Sequence, residues 1–384
     1  MFRWRLTGIG YYSLFLIDAL LREAPELEIS GYDGFSFSPI RRDWLRNLTS
    51  QTRERAVRRQ TTALRLLLSA PLAHRTYRLV KRRRYLKDLK KFDLFHALNF
   101  LPPWPTTGSV PCLPTVHDMS VVRHPETHPA DRIRWLEPNL RWLAEQPLIC
   151  TVSRFSASEI ADVLGIDQKR VKVAYPGVNP SFSPEIEETD DATLQALGLH
   201  SRRYFLAVGT IEPRKNLAVL IRAFAGLPRP TRLEYPLSLV GPLGWGSWND
   251  SSFRKLIAEG SVRLLEYQDE GVLAVLYRHA RTLLFPSIYE GFGLPVAEAM
   301  ASGLRPVVSG IPVLREIAGD AAIYIDPMNE NAWREEISRQ MDFGDATGLP
   351  GPDLHAIRQA SAYRWDATAR QVASVYHDLL SLAK

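Results

Sequence analysis

Cysteine is scarce in this sequence. Cys112 and Cys150 are the only two in 384 residues, too few for a disulfide framework and in keeping with a reducing compartment. Long apolar runs are missing as well. The longest apolar-rich stretch, 64–73, is interrupted by Arg65, whereas a bilayer-spanning helix needs roughly 18 apolar residues. The opening MFRWRLTGIG has neither the apolar segment nor the small-residue cleavage site of a secretory signal, so a cytoplasmic location is expected. Zinc-finger spacing, an aromatic RNA-binding signature and a basic zipper are all absent, so nucleic acid is not an expected partner. No G-x-G-x-x-G lies between a clear strand and a helix, which argues against a nicotinamide-dependent oxidoreductase. No Asp-x-Asp follows any strand the pattern places, so neither a metal nor a cofactor is expected.

What is present describes a two-domain globular chain. Apolar residues make up 45% and charged residues 23%, and the length exceeds what one ordinary core fills. The net charge of +6 hides an asymmetry: residues 41–91 hold 17 Lys/Arg against 3 Asp/Glu, an excess of +14 that leaves −8 for the remainder. Three readings stay open for this basic segment: a solvated helical face, attraction to an anionic membrane surface, or attraction to a polyanionic acceptor.

Short apolar segments alternate with helical patterns along the chain. GIGYYSLFLIDALLR (8–22) predicts a glycine-rich turn opening an amphipathic helix, and 50–91 reads as basic helix. Strands are expected at 93–98, 113–119, 148–153 and 171–178, then at 204–210, 237–242, 262–267, 282–287, 306–310 and 321–326. Such alternation argues for parallel sheets covered on both faces. The acidic, Pro/Ser-containing stretch 179–198 breaks the rhythm and reads as a link. The expected units are an N-terminal domain (1–182), a linker (183–200), a C-terminal domain (201–362) and a final helix (363–384) that packs back on the N-terminal half. A ligand is expected in the cleft between two such halves.

The stretch with most chemistry is Phe285 to Gly303, FPSIYEGFGLPVAEAMASG. A strand ending near Phe285 is followed by a loop with Glu290, Gly291 and Gly293. Pro295 suits the first position of a helix and Gly303 its end. Free amides around Phe292, Gly293 and Leu294, backed by the helix dipole, would meet a phosphate or a polyhydroxyl ligand. Glu298 falls about one turn into the helix. A carboxylate there or at Glu290 can accept two hydroxyl hydrogen bonds from a sugar or ribose diol. An E-x7-E pair on its own is common by chance.

The surrounding blocks make it specific. PSIYEGFGLPVAEAMASG and FLAVGTIEPRKNLAVLIRAF (205–224) resemble the donor-site motifs of the retaining, two-Rossmann-domain (GT-B) glycosyltransferases of the family 4 / group 1 type. TGIGYYSLFL, VHDMS, VSRFSASEI and YPGVNPSFSP are similar to further blocks of that family, in the same order, so the resemblance covers nearly the whole chain. It implies an α/β chain of two Rossmann-like domains facing a cleft. It also implies metal-independent transfer of a sugar from a nucleotide diphosphate with retention. By that resemblance Glu298 holds the ribose, Glu290 the donor hydroxyls, and Lys215, with Arg214 beside it, the diphosphate. Gly8 and Gly10 approach the donor from the N-terminal side. His117 lies at the donor sugar, with Asp118 to orient its ring, and Ser153, Arg154 and Ser156 lie near the cleft. The catalytic residues are then His117, Glu290 and Lys215.

Three departures stand out. Thr210 occupies a donor-site position where many relatives have arginine, and Glu266 one where they often have glycine. Only MFRWRL precedes Gly8, so the first strand is expected to be truncated. The EPRKN and HDMSVVRHPE blocks look most like bacterial polysaccharide mannosyltransferases. GDP-mannose is therefore the expected donor and a lipid-linked saccharide the expected acceptor, at the inner face of the cell membrane. The competing reading is a catalytically impaired nucleotide-binding subunit of a polysaccharide assembly complex.

Overall fold

A computed structural model describes residues 8–46, 71–104, 110–246, 251–342 and 351–383. The short stretch 1–6, where the first strand is expected to be truncated, and the 50–70 part of the expected basic helix, with Arg58 and Arg59, two of the basic residues expected to meet the membrane, lie outside these residues.

The N-terminal half begins with α1 (Gly8–Glu23) and a short antiparallel hairpin, β1 (Ser30–Tyr32) and β2 (Phe37–Pro39). The basic helix α2 (Pro71–Leu89) follows. Four strands then form a parallel sheet in sequence order: β3 (Phe95–Ala97), β4 (Cys112–Pro114), β5 (Ile149–Thr151) and β6 (Val171–Val173). A bridge between Thr115 and Cys150 joins its two halves. Helix α3 (Arg154–Leu164) connects β5 to β6, with the Ser153 side chain accepting from Ser156 N as its cap. One face of this sheet packs Val116, Met119, Leu143, Ile149 and Ile160. The other packs Leu16 and Leu20 of α1 against Leu113 and Cys150.

The C-terminal half is a six-strand parallel sheet. Its strands are β7 (Phe205–Val208), β8 (Leu237–Val240), β9 (Val262–Glu266), β10 (Leu284–Phe285), β11 (Val307–Ser309) and β12 (Ile323–Ile325). Spatial order is β9-β8-β7-β10-β11-β12, with Leu206 bridging to Leu283 at the centre. Counted within this half, the order is third, second, first, fourth, fifth, sixth. That is the doubly wound arrangement, and the strand order reverses between β7 and β10, all strands staying parallel. The carboxyl ends of those two strands therefore open the crevice where a ligand binds. Helices α4 (Glu270–His279), α5 (Leu294–Ala301) and α6 (Pro312–Ala318) cover the face toward the N-terminal half.

The last helix, α7 (Trp365–Leu382), lies along α1. Arg370 pairs with Glu23 at 2.6 Å, and Tyr376 Oη is 2.7 Å from His96 Nδ1. Gly177 passes so close to Trp365 that an added Cβ would sit 2.2 Å from its backbone nitrogen. Only glycine fits there.

Three local expectations are corrected. Gly8 and Gly10 stand in the first turn of α1, not in a turn ahead of it; the apolar stripe from Tyr12 through Leu20 is buried and carries the helix back to that point. The linker contains a short helix, Asp190–Ala196, whose first residue is buried and takes Arg278 at 2.7 Å and His279 at 2.9 Å. Pro295 is the second residue of α5: Leu294 is the first, behind a left-handed Gly293 at φ 96°. Asp118 directs its Oδ1 to the amide and hydroxyl of Ser120, and the ring of His117 is oriented instead by the Leu98 carbonyl.

Candidate active site

The loops leaving β7 and β10 meet at the switch point. The β7 loop supplies Glu212, Arg214 and Lys215; the β10 loop supplies Ser287, Tyr289 and Glu290. Glu290 is 6% exposed. Its Oε1 accepts from Lys215 Nζ at 2.6 Å and its Oε2 from Arg214 Nη1 at 2.9 Å. Arg214 also reaches Tyr289 O at 2.7 Å and Glu212 Oε1 at 2.8 Å, and its Nε has no partner among the described residues. Burial opposes the charge on Glu290, but the two cations prevail and hold its carboxyl down to about 2. Burial likewise opposes the charge on Arg214, and the carboxylates of Glu290, Asp118 and Glu212 raise its pKa. Lys215 lines a small cavity with Gly209, Thr210, Phe285 and Ser287. Both cations are thus held by carboxylates at the crevice where an anionic group would bind.

Glu298 lies inside α5 and is 9% exposed. The hydroxyl of Tyr277 donates to it at 3.0 Å. Burial pushes its carboxyl up to about 8, against the Tyr277 hydrogen bond and with help from the charge of Glu270. Glu270, also raised by burial, accepts from Ser181 Oγ at 2.9 Å. Both carboxyls line one cavity together with Tyr11, Asn179, Gln268 and Leu273. The hydroxyls of Tyr11 and Tyr267, from opposite halves, meet at 3.0 Å beside it.

His117 Nε2 is 2.9 Å from the Leu98 carbonyl and must donate to it, which leaves Nδ1 as the acceptor of the neutral ring. Burial lowers its pKa and keeps it neutral. The Tyr12 ring meets it edge-on at 4.9 Å. The two halves touch closely here. The Gly291 carbonyl accepts from Ser153 Oγ at 2.6 Å and Ser156 Oγ at 2.9 Å. An added Cβ on Gly291 would fall 2.0 Å from the His117 carbonyl oxygen. Glu316 of α6 accepts the first amides of α3, Arg154 N and Phe155 N, each at 2.8 Å, a carboxylate at a helix N-terminus. The Arg154 side chain is exposed.

The structure therefore brings Arg214, Lys215, Glu290 and Thr210 together, with His117, Gly291 and Phe292 at the seam between the halves and Glu298 in an adjoining cavity. Gly8 and Gly10 are fixed at the start of α1. Sequence reasoning missed Tyr277, Glu212, Glu270 and Glu316. Glu212 stands two residues from Arg214, which is a usable signal. The others act across the fold and leave none.

Two family models match the chain: "Glycosyltransferase Family 4" over residues 38–182 and "Glycosyl transferases group 1" over residues 191–344. The chain is 34% identical over 384 residues to the O-antigen chain mannosyltransferase B of Escherichia coli, covering 97% of each. Among solved structures it resembles WaaG, a glycosyltransferase involved in lipopolysaccharide biosynthesis. The TM-score is 0.67 at 14% identity over 97% of this chain and 96% of that one. It also resembles HepE of Anabaena in complex with UDP and glucose, with a TM-score of 0.63 at 18% identity over 78% and 81%. Such distant likenesses speak for the fold, which is GT-B. The family models, the full-length relative and the two facing α/β halves agree, and the chain belongs to the group 1 glycosyltransferases.

Proposed function

We propose that this protein is a retaining mannosyltransferase that takes mannose from GDP-mannose and adds it to a lipid-linked saccharide in surface polysaccharide synthesis. The observation that carries the reading is the full-length relationship to a named O-antigen mannosyltransferase. The site chemistry supports it. As the glycosidic bond breaks, the leaving diphosphate gains negative charge, and Lys215 and Arg214 stand ready for it. Glu298, with Tyr277, offers acceptor oxygens to a ribose diol. The amides of Phe292 to Leu294 at the start of α5, together with Gly8 and Gly10 at the start of α1, face the remaining donor groups.

Glu290 is a poor nucleophile, since both its oxygens are bonded to cations and its charge is strongly stabilised. That supports front-face attack through an oxocarbenium-like state, in which the departing phosphate takes the acceptor proton. Neutral His117 offers hydrogen bonding at the donor sugar without adding charge. Metal is not required in this scheme, because the cations replace it.

The test is transfer or slow hydrolysis of GDP-mannose by the full chain in EDTA. An inert protein that still binds the nucleotide would mark the impaired-subunit reading. A strict metal requirement would remove the cation scheme.

The enzyme also associates reversibly with the inner membrane face. No helix among the described residues is long and apolar enough to cross a membrane, but Arg41 and Arg42 and, in the Lys81 to Arg84 run of α2, Arg82, Arg83 and Arg84 are exposed. Each basic residue near an anionic surface contributes about 1 kcal/mol, and at 1 M salt the Debye length shrinks to about 3 Å. Flotation with anionic vesicles at low salt, lost at 1 M, is expected. Equal and negligible flotation with anionic and neutral vesicles would refute it.

A further inference from the structure

One histidine has no structural reason for its place. Both ring nitrogens of His128 are buried and neither has a hydrogen-bond partner among the described residues. Buried polar atoms are almost always satisfied, so an orphaned pair calls for an explanation. Burial pushes the His128 pKa down, and the groups whose charges act on the ring are Asp118, Arg214, Arg132 and Glu126. Two of these, Asp118 and Arg214, belong to the charge cluster around Glu290. None of the four lines the Glu298 cavity. His128 therefore lies within electrostatic reach of Arg214 and Asp118, and it does not line the Glu298 cavity.

An indole from the opposite half covers it. Trp245 lies 6.1 Å from His128 between ring centroids, tilted by 36°. Its Nε1 donates to Thr127 O at 2.7 Å, and the Arg132 guanidinium sits 4.1 Å from the ring centroid. All three contacts cross from the C-terminal to the N-terminal half. The turn that carries Trp245 is tied to the β7 loop: Leu243 bridges to Ile211, and Gly244 packs on the Ile211 carbonyl, where a Cβ would come within 2.6 Å. The indole is thus fixed to the same loop that supplies Thr210, Arg214 and Lys215.

We propose that His128 and Trp245 form the subsite for the acceptor sugar, the indole giving a flat apolar face to a pyranose ring and the imidazole bonding its hydroxyls. A neutral imidazole has one donor and one acceptor nitrogen, which matches a hydroxyl in either role. Aromatic side chains offer rigid contact area with little loss of conformational freedom. Parting of the two halves separates Trp245 from Thr127 and Arg132 and admits the acceptor. Closure then seats it beside the cluster that receives the leaving group. The inference rests on the mannosyl-transfer reading for its choice of probe.

The experiment is saturation-transfer NMR of a panel of differently linked mannobioses on the full chain loaded with GDP, alongside calorimetry of GDP itself. The wild type should show saturation transfer from the sugar. His128→Ala and Trp245→Ala should each weaken mannobiose binding at least tenfold and leave GDP affinity within about twofold. Trp245→Phe, which keeps the flat face and loses the bond to Thr127, should retain most of it. His128→Ala should lose only the packing of its ring on Trp245 and stay folded at the assay temperature, because no hydrogen bond to the ring nitrogens exists among the described residues to be broken. Unchanged mannobiose binding in both alanine variants would overturn the proposal, as would no saturation transfer from the wild type. GDP affinity falling together with mannobiose binding in Trp245→Ala would make the indole a domain latch and also overturn it. An absence of heat with GDP would instead count against the donor reading.

Discussion

Glu298 gives the sharpest test of the donor site. Its carboxyl, raised to about 8 by burial, is mostly protonated at neutral pH, with roughly one molecule in ten ionised at pH 7. Ribose hydroxyls donate best to the carboxylate, so binding must first remove a proton. That step costs about 1.4 kcal/mol at pH 7, a tenfold loss of affinity relative to pH 9. Nucleotide binding should accordingly release close to one proton at pH 7 and tighten as pH rises toward 8. Calorimetry in Tris and in phosphate, whose ionisation heats differ widely, reads the proton count directly. Glu298→Gln should bind without proton release and about 1–3 kcal/mol more weakly. Stability moves in the opposite sense. Between pH 4.5 and 8 the native state keeps a proton that the unfolded chain has released, so stability falls across that window, by up to about 5 kcal/mol. The Gln variant should be flatter there in denaturant midpoint. Equal heats in both buffers, with affinity unchanged from pH 6 to 9, would refute the reasoning.

Other substitutions separate binding from chemistry. Lys215→Ala should cut turnover by about 100-fold, the scale of losing one preorganised charge contact, as read by GDP release. His117→Ala should lower turnover and leave GDP affinity nearly intact; a variant that unfolds and binds nothing would mark a structural role. Gly291→Ala places a methyl on the His117 carbonyl oxygen, and backbone on both sides cannot yield cheaply. Overpacking of this kind costs about 1–3 kcal/mol. Transfer should drop at least tenfold as the halves are held apart, and wild-type turnover would show that the close approach is dispensable.

Much of the fold was legible because its periodicities are strong. The six C-terminal strands fall within the segments expected from their apolar runs, and β7 and β10 bracket the loops with the family's motifs. The Glu290 to Gly293 loop and the helix after it could be placed from Gly, Pro and their spacing. What the sequence concealed is set by long-range geometry. Nothing local to Asp190 indicates that Arg278 and His279, over 80 residues away, will bury it. The pairing of Glu290 with Arg214 and Lys215 had to wait for the fold, since adjacency across the switch point, not spacing, creates it. The turn ahead of α1 failed for a different reason: glycine marks flexible backbone, yet a buried stripe behind it can extend the helix through that point.

The departure at Glu266 has a cost that can be measured. Its backbone is left-handed, at φ 53°, where β9 shifts register against β8 between Leu239 and Val240. A side chain in that region costs roughly 1–2 kcal/mol relative to ordinary backbone, and glycine escapes it. The carbonyl of Glu266 accepts from Gly241 N at 2.7 Å, so the conformation is held by the sheet. Glu266 itself is exposed, and its carboxylate can be removed without opening a cavity. Glu266→Gly should relieve the strain and give back part of the gain, about 0.5–1 kcal/mol, as extra freedom of the unfolded chain. The net expectation is a stability equal to the wild type or up to about 1 kcal/mol higher by denaturant titration. A loss larger than about 1 kcal/mol would show that the Glu266 side chain contributes an interaction worth more than the strain it imposes. The left-handed backbone would then not be what makes glycine suit this position.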